Sequence, residues 1–158
     1  MLSSAMSSKL FKVISESSTS KNYHPTARSY CMSFSVDIEK YAKKTNVDLG
    51  KLLRGTALSM YTKIVKRTPV DTSRLQNNWQ MGLNLLPVGE VPNTDTTFAE
   101  IAKTSGAKAG DAIYIANNLE YAEAIEYGHS SVKAPLGMVR VTIAEFKRIV
   151  EQQARKIK

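Results

Sequence analysis

The chain has 158 residues, of which 42% are hydrophobic and 23% charged, a composition typical of one globular domain with its own core. No apolar run approaches the roughly 18 residues that a membrane span needs, and the single cysteine, Cys31, excludes an internal disulfide. The net charge of +8 is compatible with an acidic partner, such as nucleic acid or an acidic protein, but it identifies none.

Residues 1–31 differ from the rest of the chain. Nine of them are serine, four are Lys or Arg and one is acidic, and two short apolar pairs are too little to form a core. We therefore predict a disordered or non-native leader before a single domain over residues 32–158. Met32 begins a stretch that resembles a natural start. The alternative is an organelle transit peptide, which has a similar serine-rich, basic composition.

Two helices are predicted next. Residues 36–44 form a short helical candidate. Asp48 then precedes a long amphipathic helix, for which it is the predicted N-cap. Pro69 ends this helix, because the residue before a proline is driven out of the α region. The apolar residues of the helix follow steps of four, four, three and four, which form one stripe: Leu49, Leu53, Ala57, Met60 and Ile64.

The stretch TPVDTSRLQNNW, residues 68–79, is predicted to be a stiff corner between two elements. Pro69 and Asp71 belong to a turn, and Ser73 and Gln76 have the spacing of a capping box that opens a short helix. Trp79 follows as a large apolar anchor. It begins an extended segment to residue 86 in which apolar residues alternate.

The remaining chain alternates short helices with one further strand. The predicted elements are a polar loop over 87–97, a capping box at Thr97–Glu100 that opens a helix to about Lys103, a strand over 111–117, a helix over 120–127 with Gly128 after its end, and a last long helix from Gly137 or Met138. The fold class is therefore α+β: a small, mostly antiparallel sheet packed against two long amphipathic helices and short helices.

No pattern for catalysis, metal or cofactor binding is present. The two histidines, His24 and His129, have no Cys or His partner at a metal-ligand spacing. Glu120, Glu123 and Glu126 recur at helical steps of three, but no group is placed to position them as acid and base. We interpret this row as a solvated or partner-facing helix edge, and we predict that the chain is not an enzyme.

A nucleic-acid-binding module is the alternative function. The long helix carries basic residues that could line phosphates, and tyrosines could stack on bases. However, Lys and Arg alternate with Asp and Glu along most segments of the chain, and no helix-turn-helix or RNP-like signature occurs. We favour basic faces in solvent or against an acidic protein. The basic residues are Lys51, Arg54, Lys63, Lys66 and Arg67.

Three blocks together resemble one family. Residues 68–79 are similar to the T-P-V-D-T-G-R-L-x-x-x-W block of small bacteriophage neck and tail-completion proteins, which are head–tail connectors or minor tail proteins. Residues 115–128, IANNLEYAEAIEYG, resemble its N-x-x-x-Y-A-x-x-I-E-Y-G block, and residues 134–146, APLGMVRVTIAEF, its P-x-G-M-V-R block. Ser73 departs from the family's glycine. Serine is costly there if the backbone needs a positive φ and favourable if it caps a helix.

The resemblance implies a structural virion protein at the neck or tail junction, assembled in the host cytoplasm as a ring of identical subunits. It implies portal, adaptor or stopper, and tail or tail-terminator proteins as partners. DNA would pass through the lumen without specific binding, and no membrane or cofactor is involved. Arg74 and Arg140 could pair with a carboxylate such as Glu126, either between subunits or within one subunit, where the pair would only stabilise the corner. The structural-motif residues are Pro69, Asp71, Thr72, Arg74, Leu75, Trp79 and Asn117; the candidate interface residues are Tyr121, Glu126, Tyr127, Gly128, Met138 and Arg140.

Overall fold

The computed structural model describes residues 11–14, 47–94, 96–128 and 134–157. The predicted helix over 36–44 lies outside these ranges, as do Cys31, both histidines and the loop over 129–133. Within the described residues, no helix is both long and apolar enough to cross a membrane.

The described residues form a three-stranded antiparallel sheet and six helices, which confirms the α+β class. The strand order is β1-β3-β2, with β3 in the centre. The strands are β1 (Phe11–Ile14), β2 (Trp79–Leu83) and β3 (Ala112–Asn117); the helices are α1 (Leu49–Arg67), α2 (Arg74–Asn77), α3 (Thr97–Lys103), α4 (Ala122–Glu126), α5 (Val139–Ala144) and α6 (Phe146–Ile157).

Strand β1 lies within the segment predicted to be a disordered leader. Its backbone pairs with β3, with Phe11 opposite Ile115 and Ile14 opposite Ala112. The prediction of disorder therefore does not hold for these four residues. A short apolar segment of this kind can form a strand by adding to the open edge of a sheet. The division of the chain into a leader and a domain stays a prediction.

Helix α1 begins and ends where the sequence predicts. Asp48 accepts a hydrogen bond from the backbone N–H of Lys51 at 2.8 Å, and this bond is the main cause that lowers the pKa of the Asp48 carboxyl. Thr68, before Pro69, is extended at the other end. Of its apolar stripe, Leu53, Ala57, Met60 and Ile64 are buried in the core, and Leu49 packs against the core partly buried.

The last helix is not continuous, and in this respect the prediction is wrong. Glu145 interrupts it, with φ −90° and ψ 0°, and its N–H donates to the carbonyl of Thr142 in a tighter turn. The break divides the segment into α5 and α6, and the side chains of Thr142 in α5 and Phe146 in α6 are both buried. Helix α6 packs antiparallel to α1, since Glu145 bonds to Lys63 and Gln153 bonds to Ser59.

The two faces of the sheet have different covers. On one face, Trp79, Met81, Ile113 and Ile115 join the core beneath α1.

On the other face, the loop that follows β2 folds back over Gln80 and Gly82. A Cβ atom on residue 82 would overlap Leu85 and Pro87 of this loop. Carboxamides hold this loop: those of Asn78, Gln80 and Asn118 donate to its backbone carbonyls.

Helix α3 covers the outer edge of β2. Glu100, only 3% exposed, accepts from the N–H of Met81 at 2.7 Å and pairs with Lys103 at 2.6 Å. The predicted Thr97–Glu100 capping box is wrong, since the helix N-cap is Thr96 and has no side-chain cap bond. The Glu100 carboxylate does not cap its own helix. It accepts the hydrogen bond of the Met81 N–H, which lies on the edge of β2 that has no neighbouring strand.

Candidate functional site

The corner between α1 and β2 is fastened by Trp79. Its indole N–H donates to Thr68 Oγ1 at 2.8 Å, and the Thr68 hydroxyl donates in turn to the carbonyl of Ile64. Tyr61 donates from its hydroxyl to the carbonyl of Trp79 at 3.0 Å. Trp79 is 5% exposed, as expected of an anchor, and its polar atom has a partner. Trp79 is therefore buried at the corner in the position predicted for the anchor, and the stiffness of the corner stays a prediction.

Ser73 is not the cap of a capping box. Its φ is 61°, a left-handed conformation, and its side chain makes no cap bond to α2. Gln76 does not reach back either, because its amide donates to the carbonyl of Val65. The capping-box prediction is therefore wrong. The positive φ explains why the resembling block has glycine at this place.

Asn117 joins the first two sequence blocks. Its side chain donates to the carbonyl of Leu75 at 2.8 Å and accepts from the N–H of Leu119 at 3.3 Å. Leu75 is buried, and Asn117 is 7% exposed. Both residues therefore connect the corner to the end of β3, which is a structural role.

Glu126 joins the second block to the third. Its carboxylate accepts hydrogen bonds from the N–H groups of Met138, Val139 and Arg140 at 2.8–2.9 Å, so it closes the first turn of α5. The Arg140 side chain lies 3.4 Å from the carboxylate and also donates to the Glu126 carbonyl. The predicted Glu126–Arg140 pair is confirmed.

Two candidate interface residues are buried. Glu126 is 8% exposed, so the prediction that it lies on a solvated or partner-facing edge is wrong; the backbone groups of α5 draw it inward. Met138 is fully buried and belongs to the core. Gly128, with φ 95°, follows α4 in the position predicted for it.

The other candidate interface residues form an exposed surface. Tyr121 is 42% exposed and Tyr127 is 54% exposed, and the Arg140 guanidinium lies over the Tyr127 ring at 4.9 Å from its centroid. Arg74 does not pair with Glu126. It bonds to Glu90 at 2.7 Å, which raises the pKa of its guanidinium and holds it beside the loop after β2.

A cleft of about 440 Å³ lies between the corner and α4. No sequence pattern predicts this cleft, because its two walls, the corner and the segment from Tyr121 to Ile125, are far apart in the chain. Its lining mixes apolar and charged groups, and no cluster of metal-ligating side chains occurs among the described residues. The lining residues are Pro69, Asp71, Thr72, Ser73, Arg74, Leu75, Tyr121 and Ile125.

Much of the basic charge of α1 is bound within the protein. Lys63 and Arg67 bond to Glu145 at 2.9 and 2.8 Å, and Arg54 donates to the carbonyl of Ala107. The bond from Lys63 first, and then that from Arg67, lowers the pKa of the Glu145 carboxyl to about 2. These three cations are therefore less available to phosphates than the sequence alone indicates.

Comparison with known protein families identifies a match over most of the chain. The family model described as "Bacteriophage HK97-gp10, putative tail-component" matches residues 33–128, which are 96 of the 158 residues. The matched range contains the corner and the Tyr121–Gly128 block, whereas the block over 134–146 lies beyond it. No curated protein and no solved structure matches significantly.

Proposed function

The chain belongs to the HK97-gp10-like family of bacteriophage tail components, and from this premise we propose that it completes the neck of the virion as a ring of identical subunits. A tail component is a structural virion protein, whose work is to bind its neighbours. The ring would extend the DNA channel and offer a surface to the tail. Portal or adaptor proteins on one side and tail proteins on the other are the proposed partners.

The observation that carries this proposal is the difference between the buried and the exposed side chains of the three sequence blocks. Their buried polar groups are used for internal bonds: Trp79 to Thr68, Asn117 to Leu75 and Glu126 to α5. What remains on the surface next to the cleft is aromatic and charged: Tyr121, the Tyr127–Arg140 stack, and the exposed carboxylates Asp71 and Glu120. Tyrosine and arginine are the side chains that most often carry binding energy in protein interfaces.

Contacts within the subunit also position the Arg140 side chain of this surface. Arg140 is held by the Glu126 carbonyl and by the Tyr127 ring, and Glu126 is itself fixed by three backbone N–H groups. A preordered side chain loses less conformational entropy when it is buried, so it contributes more of its contact energy to binding. Such an arrangement suits assembly better than catalysis.

The test is the mass of the full chain in solution, measured by light scattering over a range of concentrations, alone and with purified portal and tail proteins. The proposal predicts a closed oligomer, either alone or on a portal-type partner. Tyr121→Ala with Tyr127→Ala should weaken this assembly by at least about tenfold. The control is Phe98→Ala on α3, which removes an 89% exposed aromatic away from the cleft and should leave assembly unchanged.

One outcome of this experiment would contradict the proposed neck function. A monomer that ignores both kinds of virion protein, but binds DNA with an affinity that falls steeply with salt, would overturn the neck proposal. It would support the nucleic-acid-binding module instead, because such salt dependence reports the release of counterions from phosphates.

A further inference from the structure

We propose that neighbouring copies of this chain bind head to tail, with the basic end of the α1–α6 helix pair of one copy against the acidic mouth of the cleft of the next. This inference rests on the proposed ring and names the two surfaces that would form it. It concerns contacts between copies of the chain, and portal and tail proteins would use other surfaces.

The two surfaces lie at opposite ends of α1. Nineteen residues at 1.5 Å per residue give this helix a length of about 28 Å. The cleft is built on the corner that follows its C-terminus, from Pro69 onward. Helix α6 runs antiparallel, so the last turn of α6 lies beside the first turns of α1, at the end away from the cleft.

That far end is positively charged. Lys51 on α1 and Arg155 and Lys156 on α6 are all exposed there. The carboxylate of Asp48 lies nearby, but it is turned back to cap α1 through the N–H of Lys51. Glu151, one turn earlier on α6, is half-buried. The exposed charge at this end is therefore mainly cationic.

The mouth of the cleft carries the opposite charge. Asp71 in its lining and Glu120 beside Tyr121 are exposed carboxylates. The two arginines of this region, Arg74 in the lining and Arg140, each have a carboxylate partner, Glu90 and Glu126. Pro69, Leu75, Tyr121 and Ile125 add apolar surface below the charged rim, which is the arrangement of an apolar centre within a polar rim.

A second copy is the occupant that this arrangement favours. Two different, complementary surfaces at opposite ends of one molecule give a heterologous contact, and a heterologous contact repeats around a closed ring. A symmetric dimer would instead need a surface complementary to itself. Unlike charges also fix the register of the contact and speed its formation.

The test exchanges the charges of the two surfaces in the full chain. Arg155→Glu with Lys156→Glu makes the basic end acidic, and Asp71→Lys with Glu120→Lys makes the cleft mouth basic. Each double variant places like charges together in its own contact, so each should lose self-assembly by at least about tenfold. Mixing the two should restore assembly, because each variant then fits only the other. Light scattering and native mass spectrometry read the result.

A matched control is available on the same helices. Lys66→Glu with Lys147→Glu changes the net charge by the same amount as the α6 variant, but both exposed residues lie toward the cleft end of the helix pair. This control should not weaken assembly. Thermal unfolding of every variant verifies that each remains folded.

The outcomes separate the two proposals. A wild-type chain that stays monomeric, alone and with virion proteins, overturns the ring and this inference together. A wild-type chain that assembles normally, while the charge-reversed variants assemble equally well or fail to rescue each other, overturns the head-to-tail contact alone. Loss in both variants with recovery on mixing supports it.

Discussion

A Cβ atom on Gly137 would overlap the carboxylate and the carbonyl oxygen of Glu126, so these two residues fit together because residue 137 has no side chain. Gly137 also has φ 79°, a conformation that L side chains rarely adopt. The contact allows Glu126 to reach the N–H groups of α5. It gives a physical reason for the glycine in the P-x-G-M-V-R block and for the glutamate in the I-E-Y-G block.

We expect Gly137→Ala to destabilise the fold by about 3–4 kcal/mol. The left-handed backbone costs roughly 1–2 kcal/mol, and displacing Glu126 loses charge-assisted bonds. The control is Gly89→Ala, where φ is 77° but a Cβ meets nothing within 4 Å. That variant should cost only the backbone term. Urea unfolding measures both, and equal losses would show that the Glu126 contact does not matter.

Glu126→Gln should destabilise the protein by about 2–3 kcal/mol. An amide has one oxygen where the carboxylate has two, and its NH2 group would face a backbone N–H. The matched change Glu120→Gln, on the exposed side of the same region, should stay within about 0.5 kcal/mol of the wild type. If both variants unfold alike in urea, Glu126 does not hold α5.

Ser73→Gly should stabilise the protein by about 0.5–1 kcal/mol. Serine pays a steric cost at φ 61°, and glycine removes it at the expense of some unfolded-state entropy. Asn84 has a similar φ of 58°, but its side chain bonds to Asp111 and to the N–H of Ala112. Asn84→Gly should therefore bring no gain. A lower melting temperature for Ser73→Gly would contradict the left-handed assignment.

The cluster around Glu145 should make stability depend on pH in the acid range. Its pKa is lowered from 4.5 to about 2 in the folded protein, chiefly by the bond from Lys63. The unfolded chain therefore takes up the proton first. The stabilisation is fully present above pH 4.5 and is lost as the pH falls toward 2. Because these groups are partly exposed, we expect roughly 1–2 kcal/mol.

Urea unfolding of the wild type and Glu145→Gln from about pH 6 to about pH 3 checks this expectation. The difference between the two proteins should be largest at pH 6 and shrink as the pH falls. Lys63→Gln should remove part of the same pH dependence. A difference that does not change with pH would show that Glu145 acts by packing and not by charge.

The sequence predicted those features that depend on near neighbours. The Asp48 cap, the stop at Pro69 and the start of a strand at Trp79 are all set within a few residues, and the structure confirms them. The extended segment predicted to residue 86 ends earlier, at Leu83, because Asn84 takes a left-handed conformation. The predictions of two capping boxes, at Ser73 and at Thr97, were wrong for the same reason. Gln76 and Glu100 found distant partners, Val65 and Met81, that compete with the local bond and that no spacing rule reveals.

The candidate site was predictable in its residues but not in its geometry. The three blocks identified Glu126 and Arg140, yet the row of glutamates at steps of three suggested an exposed edge. Only the position of α5 shows that Glu126 is buried beneath its N-terminus. Predicting the cleft required the same knowledge of the fold, since Tyr121 and Pro69 are far apart in the sequence and line the cleft together.

Trp79→Ala should destabilise the fold by about 3–5 kcal/mol, because it leaves a large cavity beside Tyr61 and Leu75 in the core. Thr68→Val tests the hydrogen bond separately: it keeps the volume but leaves the Trp79 N–H without its acceptor, at a cost of about 1–3 kcal/mol. Thermal and urea unfolding measure both. A melting temperature unchanged by Trp79→Ala would mean that the indole contributes to an interface between subunits and not to the core, and would overturn its assignment as the anchor of the corner.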